Sequence, residues 1–509
     1  DGGYSILNHV HKIIGPPGTG KTTTLLKYVE DNLQKDLEPD RIGYFSFTRK
    51  AANEAIFRAV NKFKIERKEF KWFRTLHSLA YQFLGCTHTD IIQDQDFEDF
   101  KKEFGVDIAS SINNNGGVIG RDPDGIHLID LYRVKNTSLY EEFKKAGHVQ
   151  GGFERLQRID KNYRMFKKQK GIKDYTDLII EFNKTKQSPK LDVVIVDEVQ
   201  DLKASEWDMV HTMINQAKIV YLAGDDDQAI YGWSGAEVSK LINLNCHLQV
   251  LNQSYRIPNS VFVRANRLIN RIKNRIPKDW NPRQDEGTVS NVVFERLNLR
   301  KNEWLILCRT NYYLNEIAAD LKSKGYLFEK NNKLSIKDDV LVAYNCWKNL
   351  QLGHEVSLSD VKTMYQYIRS GDKGIARGKK KMPGADEEIK YSYDTLSTEW
   401  GLRVDINTPW QVALNGIAEN EINYMRQILK RGYDLDKRAS IKLSTIHGAK
   451  GGESQNVVLF SDISKRIIDE MSYNRDDERR VFYVGMTRAK ENLFVVPSTS
   501  QYEFEEVLR

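Results

Sequence analysis

The sequence predicts an α/β protein built on two parallel sheets, each interrupted by an inserted subdomain of mostly helical or mixed character. Three observations predict it. Short apolar runs followed by helical periodicity recur; a glycine-rich loop follows the first run directly; and the runs fall into two sets separated by charged stretches rich in Gly and Asn. The first set is Lys12-Ile13-Ile14, Tyr44-Phe45-Ser46-Phe47, Val193-Val194-Ile195-Val196 and Val220-Tyr221-Leu222. The second is Trp304-Leu305-Ile306-Leu307-Cys308, Val457-Val458-Leu459-Phe460 and Leu493-Phe494-Val495-Val496. Runs this short and this apolar suit strands buried on both faces, and their alternation with helical segments suits βα units. The expected division is 1–85 with 171–250 for the first sheet domain and 86–170 for its insertion. The second sheet domain takes 251–345 with 436–509, and its insertion 346–435.

A chain of 509 residues exceeds what a single core sustains. Hydrophobic residues make up 40% and charged residues 29%, ordinary globular values, and no apolar run reaches the roughly 18 residues a membrane span needs. The opening Asp1-Gly2-Gly3-Tyr4 carries no basic region leading into an apolar segment, so no secretion signal is read there. Cys86, Cys246, Cys308 and Cys346 lie far apart with no C-x-x-C pair, which argues against zinc ribbons and disulfide frameworks and fits a reducing, cytoplasmic location. A net charge of +7 permits a polyanionic partner but is dilute over this length. The stretch GKKKMPGADEE, 378 to 388, reads as a flexible loop, with a DNA contact as the alternative.

GPPGTGKTTT, residues 15 to 24, follows a short strand and precedes Leu25, Leu26, Val29 and Leu33 at helical spacing. In that context Gly15, Gly18, Thr19 and Gly20 wrap backbone N–H groups around phosphate oxygens, Lys21 supplies charge to the β and γ phosphates, and Thr22 can hold Mg²⁺. The ligand is ATP or GTP. LDVVIVDEVQDL, residues 191 to 202, is an apolar strand ending in two acids: Asp197 is placed for Mg²⁺ and Glu198 for the attacking water. GDDDQAIYGWSG, residues 224 to 235, follows another buried strand. Read alone it is a solvated turn or a ligand loop; in the same sheet as the glycine loop, it puts Gln228 near the γ-phosphate and leaves Tyr231 and Trp233 to stack on bases.

Taken together these motifs resemble the UvrD/Rep-type superfamily 1 DNA helicases. YFSFTRKAANEA (44 to 55), FRTLHSLA (73 to 80), DYTDLI (174 to 179), LNQSYRIPNSV (251 to 261), LSTIHGAKGGESQNVVL (443 to 459) and RRVFYVGMTRAKENL (479 to 493) are similar to the family's remaining motifs, in family order. The resemblance implies two RecA-like P-loop motor domains, ATP with Mg²⁺ as cofactors, and single-stranded DNA and its junctions with duplex as partners of a monomeric motor unit. It implies that Tyr255 stacks on adenine, Arg256 and Arg488 reach the γ-phosphate, and Glu453 contacts the ribose. On the DNA side it implies Phe47, Arg49, His77, Tyr231, Trp233, Thr445 and His447. The implied activity is ATP-dependent translocation on single strands with 3′ to 5′ unwinding. A translocase that displaces proteins and a slow nucleotide-gated loading module remain the alternatives. A P-loop small-molecule kinase is disfavoured, because it has no use for Arg256 and Arg488 in a second α/β domain.

The sequence also departs from the family. No glutamine precedes Lys21, so the family's N-terminal adenine-contacting motif has no counterpart in those residues. Arg49 stands where Asn is common and adds a candidate phosphate contact, and Gly452 and Ser454 replace bulky apolar residues beside Glu453. The second insertion is shorter than is typical, so the family's duplex engagement through that region is not carried over.

Overall fold

The computed structural model describes residues 7–47, 49–108, 125–147, 149–382, 384–435 and 438–509. Asp1–Tyr4, read above for a secretion signal, lie outside them, as does Pro383 of the 378 to 388 stretch. Six strands, β1 (Leu7–Ile14), β2 (Ile42–Ser46), β3 (Phe73–Thr75), β4 (Val193–Val196), β5 (Ile219–Gly224) and β6 (Cys246–Val250), form one parallel sheet in the order β3-β2-β4-β5-β1-β6. Alternate residues feed two apolar layers, as the pleat requires. Tyr44, Ile195 and Ala223 pack on one face with Leu26, Val29 and Ala55, while Phe45, Val194, Val196 and Leu222 pack on the other with Leu79, Leu178 and Trp207. Helices α1 (Lys21–Leu33) and α2 (Arg49–Phe63) connect the early strands, and α3 (Leu76–Phe83) follows β3, starting where the Thr75 hydroxyl accepts the Ser78 N–H. Because the strands are parallel, the loops after β1, β4 and β5 all leave from one edge. Those three loops carry the glycine loop, the Asp197-Glu198 pair and the Asp225–Gly235 stretch.

Between β3 and β4 the chain builds helices Asp94–Phe104, His127–Lys135, Leu139–Ala146 and Gly152–Lys170, which share a core of Phe97, Phe100, Ile129, Leu156, Tyr163 and Phe166. Helix Tyr175–Thr185 then begins at a reciprocal cap, with Asp174 accepting the Asp177 N–H at 2.8 Å and Asp177 the Asp174 N–H at 3.0 Å.

The chain divides into two compact units, Asp1–Glu295 with Thr445–Arg509, and Arg296–Ser444. The first contains, beyond the six-stranded sheet, the parallel strands Thr288–Asn291, Ala489–Val496 and Ser454–Phe460, and helices Asn259–Ile269 and Arg475–Met486. In the second, Ile441–Leu443 pair in parallel with Phe328–Lys330. Helices Asp338–Gln351, Leu358–Gln366 and Glu419–Lys430 enclose Trp347, Met364, Tyr365, Met425 and Ile428. The α/β class with mostly parallel sheets is what the sequence predicts. Among the described residues no helix is long and apolar enough to cross a membrane.

Candidate nucleotide and nucleic-acid site

The glycine loop turns back on itself through Thr19, whose N–H and hydroxyl both donate to the Pro16 carbonyl, at 3.2 and 2.8 Å. Gly18 and Gly20 take positive φ, 74° and 77°, which a side chain disfavours. A methyl on Gly15 would lie 3.0 Å from the Lys21 side chain, which folds over it. Helix α1 starts at Gly20 with no side-chain cap. Its first N–H groups therefore point out of the loop as anion donors, with Lys21 and Thr22 at the mouth.

At the end of β4, Asp197 is buried; its Oδ1 accepts the Glu198 N–H at 2.9 Å and its Oδ2 the Tyr44 hydroxyl at 3.3 Å. Burial pushes the Asp197 carboxyl up to about 6, against the pull of Lys21. Glu198 sits in the left-handed region at φ 57° and pairs with Lys21 Nζ at 2.7 Å. Burial would raise its carboxyl, but Lys21 and Lys450 outweigh that and hold it down at about 2. An oxygen-only set of Thr22 and Asp197 suits Mg²⁺, which takes few protein ligands and completes its shell with phosphate and water. Those residues therefore fit the ion.

The stretch after β5 is neither a solvated turn nor an open acidic site. Asp225, Asp226 and Asp227 are fully buried, and all three pair with Lys278 Nζ, at 2.7, 2.5 and 2.9 Å. Arg275 grips Asp227 with two nitrogens, at 2.9 and 2.5 Å. A cluster of carboxylates out of water demands such partners. Gln228 follows, donating to Asp225 Oδ2 at 2.8 Å and accepting from Arg488 Nη2 at 3.0 Å. Burial and the neighbouring Arg256 push Arg488 down to about 9. Arg256 pairs with Glu453 at 2.6 Å, with Lys490 on the other carboxylate oxygen at 3.4 Å. Its segment is docked on the glycine loop: Ser254 Oγ donates to the Pro17 carbonyl at 2.7 Å and Tyr255 N–H to the Gly18 carbonyl at 2.9 Å. The approach is so close that a Cβ on Gly18 would stand 2.3 Å from that of Arg256. The Tyr255 ring is 74% exposed and available to stack on a flat ligand.

Beyond Gln228 the loop enters an aromatic cluster. Phe47 stacks on Tyr231 with ring centroids 5.5 Å apart, Tyr231 lies 6.4 Å from Trp233, and His447 lies 6.1 Å from Tyr231 and 6.3 Å from Trp233. Lys450 ties this cluster to the nucleotide side: its Nζ donates to Asp201 at 2.5 Å and to the Gln228 carbonyl at 2.8 Å, and lies 4.9 Å from the Tyr231 ring centre.

Residues 4–249 match the model of the UvrD/REP helicase N-terminal domain, and residues 408–500 that of the UvrD-like helicase C-terminal domain. The chain belongs to the UvrD/Rep helicase family. It is similar to a probable DNA helicase II homolog of Mycoplasma pneumoniae, 22% identical over 96% of this chain and 82% of that one. A probable DNA helicase of the same organism is 26% identical over 96% and 80%. The ATP-dependent DNA helicase Rep of Buchnera aphidicola is 21% identical over 99% and 93%.

In this UvrD/Rep-family chain the sequence-predicted residues fall into two groups that share one loop. Lys21, Glu198, Gln228 and Arg488 gather with Asp197 on the nucleotide side, with Arg256, Glu453 and Tyr255 against the glycine loop. Phe47, Tyr231, Trp233 and His447 gather on the other side. His447 and Thr445 are buried, 3% and 2% exposed: His447 Nε2 backs the loop at 3.1 Å from the Ile230 carbonyl, while Thr445 Oγ1 accepts the Gly448 N–H within its own turn. Arg49 opens α2 on the surface. His77 stands apart from the cluster, edge-on to Tyr175 and 3.7 Å from Glu206, with burial lowering its pKa. Sequence reasoning missed Gln200, whose amide donates to Glu198 and accepts the Asp225 N–H, and it missed Lys450, Lys278 and Arg275. Gln200 and Lys450 lie inside quoted motifs, and for Gln200 the available signal was a polar residue two positions after Glu198. Lys278 and Arg275 lie in the basic stretch 271–278, outside every quoted motif.

Proposed function

We propose that this ATP-dependent DNA helicase of the UvrD/Rep family translocates 3′ to 5′ along single-stranded DNA, separating strands at its junctions with duplex, by coupling Gln228 to the aromatic cluster. The observation that carries this reading is the single loop from Asp225 to Gly235. Its Gln228 side chain bonds Arg488, and its Tyr231 and Trp233 join Phe47. Mg²⁺ held by Thr22 and Asp197 supplies charge neutralisation for phosphoryl transfer when bound. Gly15, Gly18, Thr19, Gly20 and Lys21 cradle the phosphates, Tyr255 takes the base and Glu453 the ribose. Glu198 positions the attacking water, and Arg256 and Arg488 offset the charge that builds on the transferring group. DNA lies against Phe47, Arg49, His77, Tyr231 and Trp233, with Thr445 and His447 supporting the same surface. The motor domains follow 1–85 with 171–250 and 251–345 with 436–509, and the unit works as a cytoplasmic monomer.

The test is ATPase rate with and without single-stranded DNA, followed by unwinding of duplexes with a 3′ or a 5′ tail. Strong stimulation and unwinding from the 3′ tail are expected. Stimulation without unwinding would favour a protein-displacing translocase, and slow turnover at saturating DNA a loading module.

A further inference from the structure

The Gln228 amide has two neighbours whose hydrogen-bonding roles are fixed by chemistry. A carboxylate can only accept and a guanidinium can only donate, so the NH₂ must face Asp225 and the oxygen must face Arg488. The orientation is then as firm as Asp225 itself. Asp225 is held by Lys278, whose ammonium is wholly buried and shared among the three consecutive aspartates. Asp226 is further fixed by the Ile276 N–H at 2.9 Å and Asp227 by Arg275, so Lys278 closes a rigid cage beneath the sensor loop. Three buried carboxylates beside two cations leave one net negative charge, and Asp225 bears directly on the amide.

We propose that Lys278 is a positioning residue for ATP hydrolysis, acting through Asp225 to hold the Gln228 amide with its oxygen turned to Arg488. The proposal rests on the reading above that Gln228 and Arg488 act on the γ-phosphate. Without Lys278, Asp225 keeps only the Asp227 N–H, at 3.2 Å, as a hold on the same Oδ1, so its carboxylate is less firmly set, Gln228 loses its fixed acceptor and Arg488 its oriented partner. Nucleotide binding depends on Lys21 and the glycine loop and stays.

The full chain is assayed for melting temperature, ATP affinity and kcat at saturating single-stranded DNA, as wild type and as Gln228→Ala, Asp225→Asn, Lys278→Met, Lys278→Met/Asp226→Asn and Lys278→Met/Gln228→Ala. The Lys278→Met/Asp226→Asn pair keeps the cluster's net charge while removing the hold on Asp225. It is expected to recover the melting temperature lost in Lys278→Met yet keep kcat down about 10- to 100-fold, as for lost supporting residues elsewhere, with KM within about threefold. Asp225→Asn, which leaves Lys278 paired with two aspartates, is expected to show the same kcat-selective loss, and Lys278→Met/Gln228→Ala to be no slower than Gln228→Ala. Recovery of kcat together with melting temperature in the charge-compensated pair overturns the proposal, as does wild-type kcat in Asp225→Asn or a multiplicative loss in Lys278→Met/Gln228→Ala. Wild-type kcat in Gln228→Ala overturns instead the reading of Gln228 on which the proposal stands.

Discussion

Lys21 and Glu198 show how far single residues were legible. Motif and strand context pointed to both, because a phosphate loop and an acid at a strand end are local patterns. Their mutual pairing at 2.7 Å was not legible, since it joins residues far apart in the chain. Lys21→Ala is expected to abolish turnover. Glu198→Gln is expected to remove most hydrolysis while ATP still binds, as equilibrium binding of a fluorescent ATP analogue would report; near-normal turnover would remove Glu198 from the water-positioning role. Arg488→Ala is expected to lower kcat by about 10³ or more with little change in nucleotide affinity. A raised KM at unchanged kcat would withdraw that assignment. Asp225, Asp226 and Asp227 mark the limit of residue-level reading: three acids in a row look solvent-loving, and only the tertiary partners Lys278 and Arg275 explain their burial.

At the scale of elements, β4 and β5 are readable because strands buried on both faces are continuous apolar runs; β1 is readable only at its buried end before the glycine loop, and β6, exposed over most of its length, is not. The loop after β5 makes the sharpest prediction. Trp233→Ala is expected to keep basal ATPase, since Lys21, Asp197 and Glu198 are untouched, and to lose much of the stimulation by single strands, as roughly 1 to 3 kcal/mol of stacking per base disappears. A lowered melting temperature with parallel loss of every activity would mark Trp233 as a packing residue instead. The start of helix Tyr175–Thr185 makes a different prediction, on stability. Burial would raise the Asp174 carboxyl, but the fork of Arg133, at 2.8 and 2.9 Å, and the Lys167 ammonium outweigh it and hold it below the ordinary carboxylate range. The folded value thus lies below the unfolded one of about 3.9. The stabilisation is therefore complete above that pH and lost as pH falls toward the folded value. Arg133→Met is expected to cost about 3 to 5 kcal/mol at pH 7, the scale for breaking a buried pair, with the gap to wild type narrowing below about pH 4 in urea titrations.

At the scale of the whole chain, the two sets of strands and the ordered motifs made the α/β class and the family legible, because each motif is short and contiguous. What joins them was not. The Arg488 contact with Gln228 and the docking of Ser254 on Pro17 connect segments more than two hundred residues apart, and no periodicity reports them. Polarity is the whole-molecule property most in need of measurement. Unwinding is expected from duplexes with a 3′ tail and not from those with a 5′ tail alone, and the reverse pattern would refute the assigned direction.

The pairs Lys21 with Glu198 and Arg256 with Glu453 give each cation a tethered anion. Under the proposed assignment of both cations to the triphosphate, its entry would be a ligand exchange, in which phosphate oxygens compete with resident carboxylates whose effective concentrations, set by short tethers, are about millimolar or above. Affinity for ATP would then be a difference between two sets of ion pairs, and departure of the cleaved phosphate would be assisted by the acids that reclaim their partners. The same side chains thereby set a threshold for loading and a pull for release.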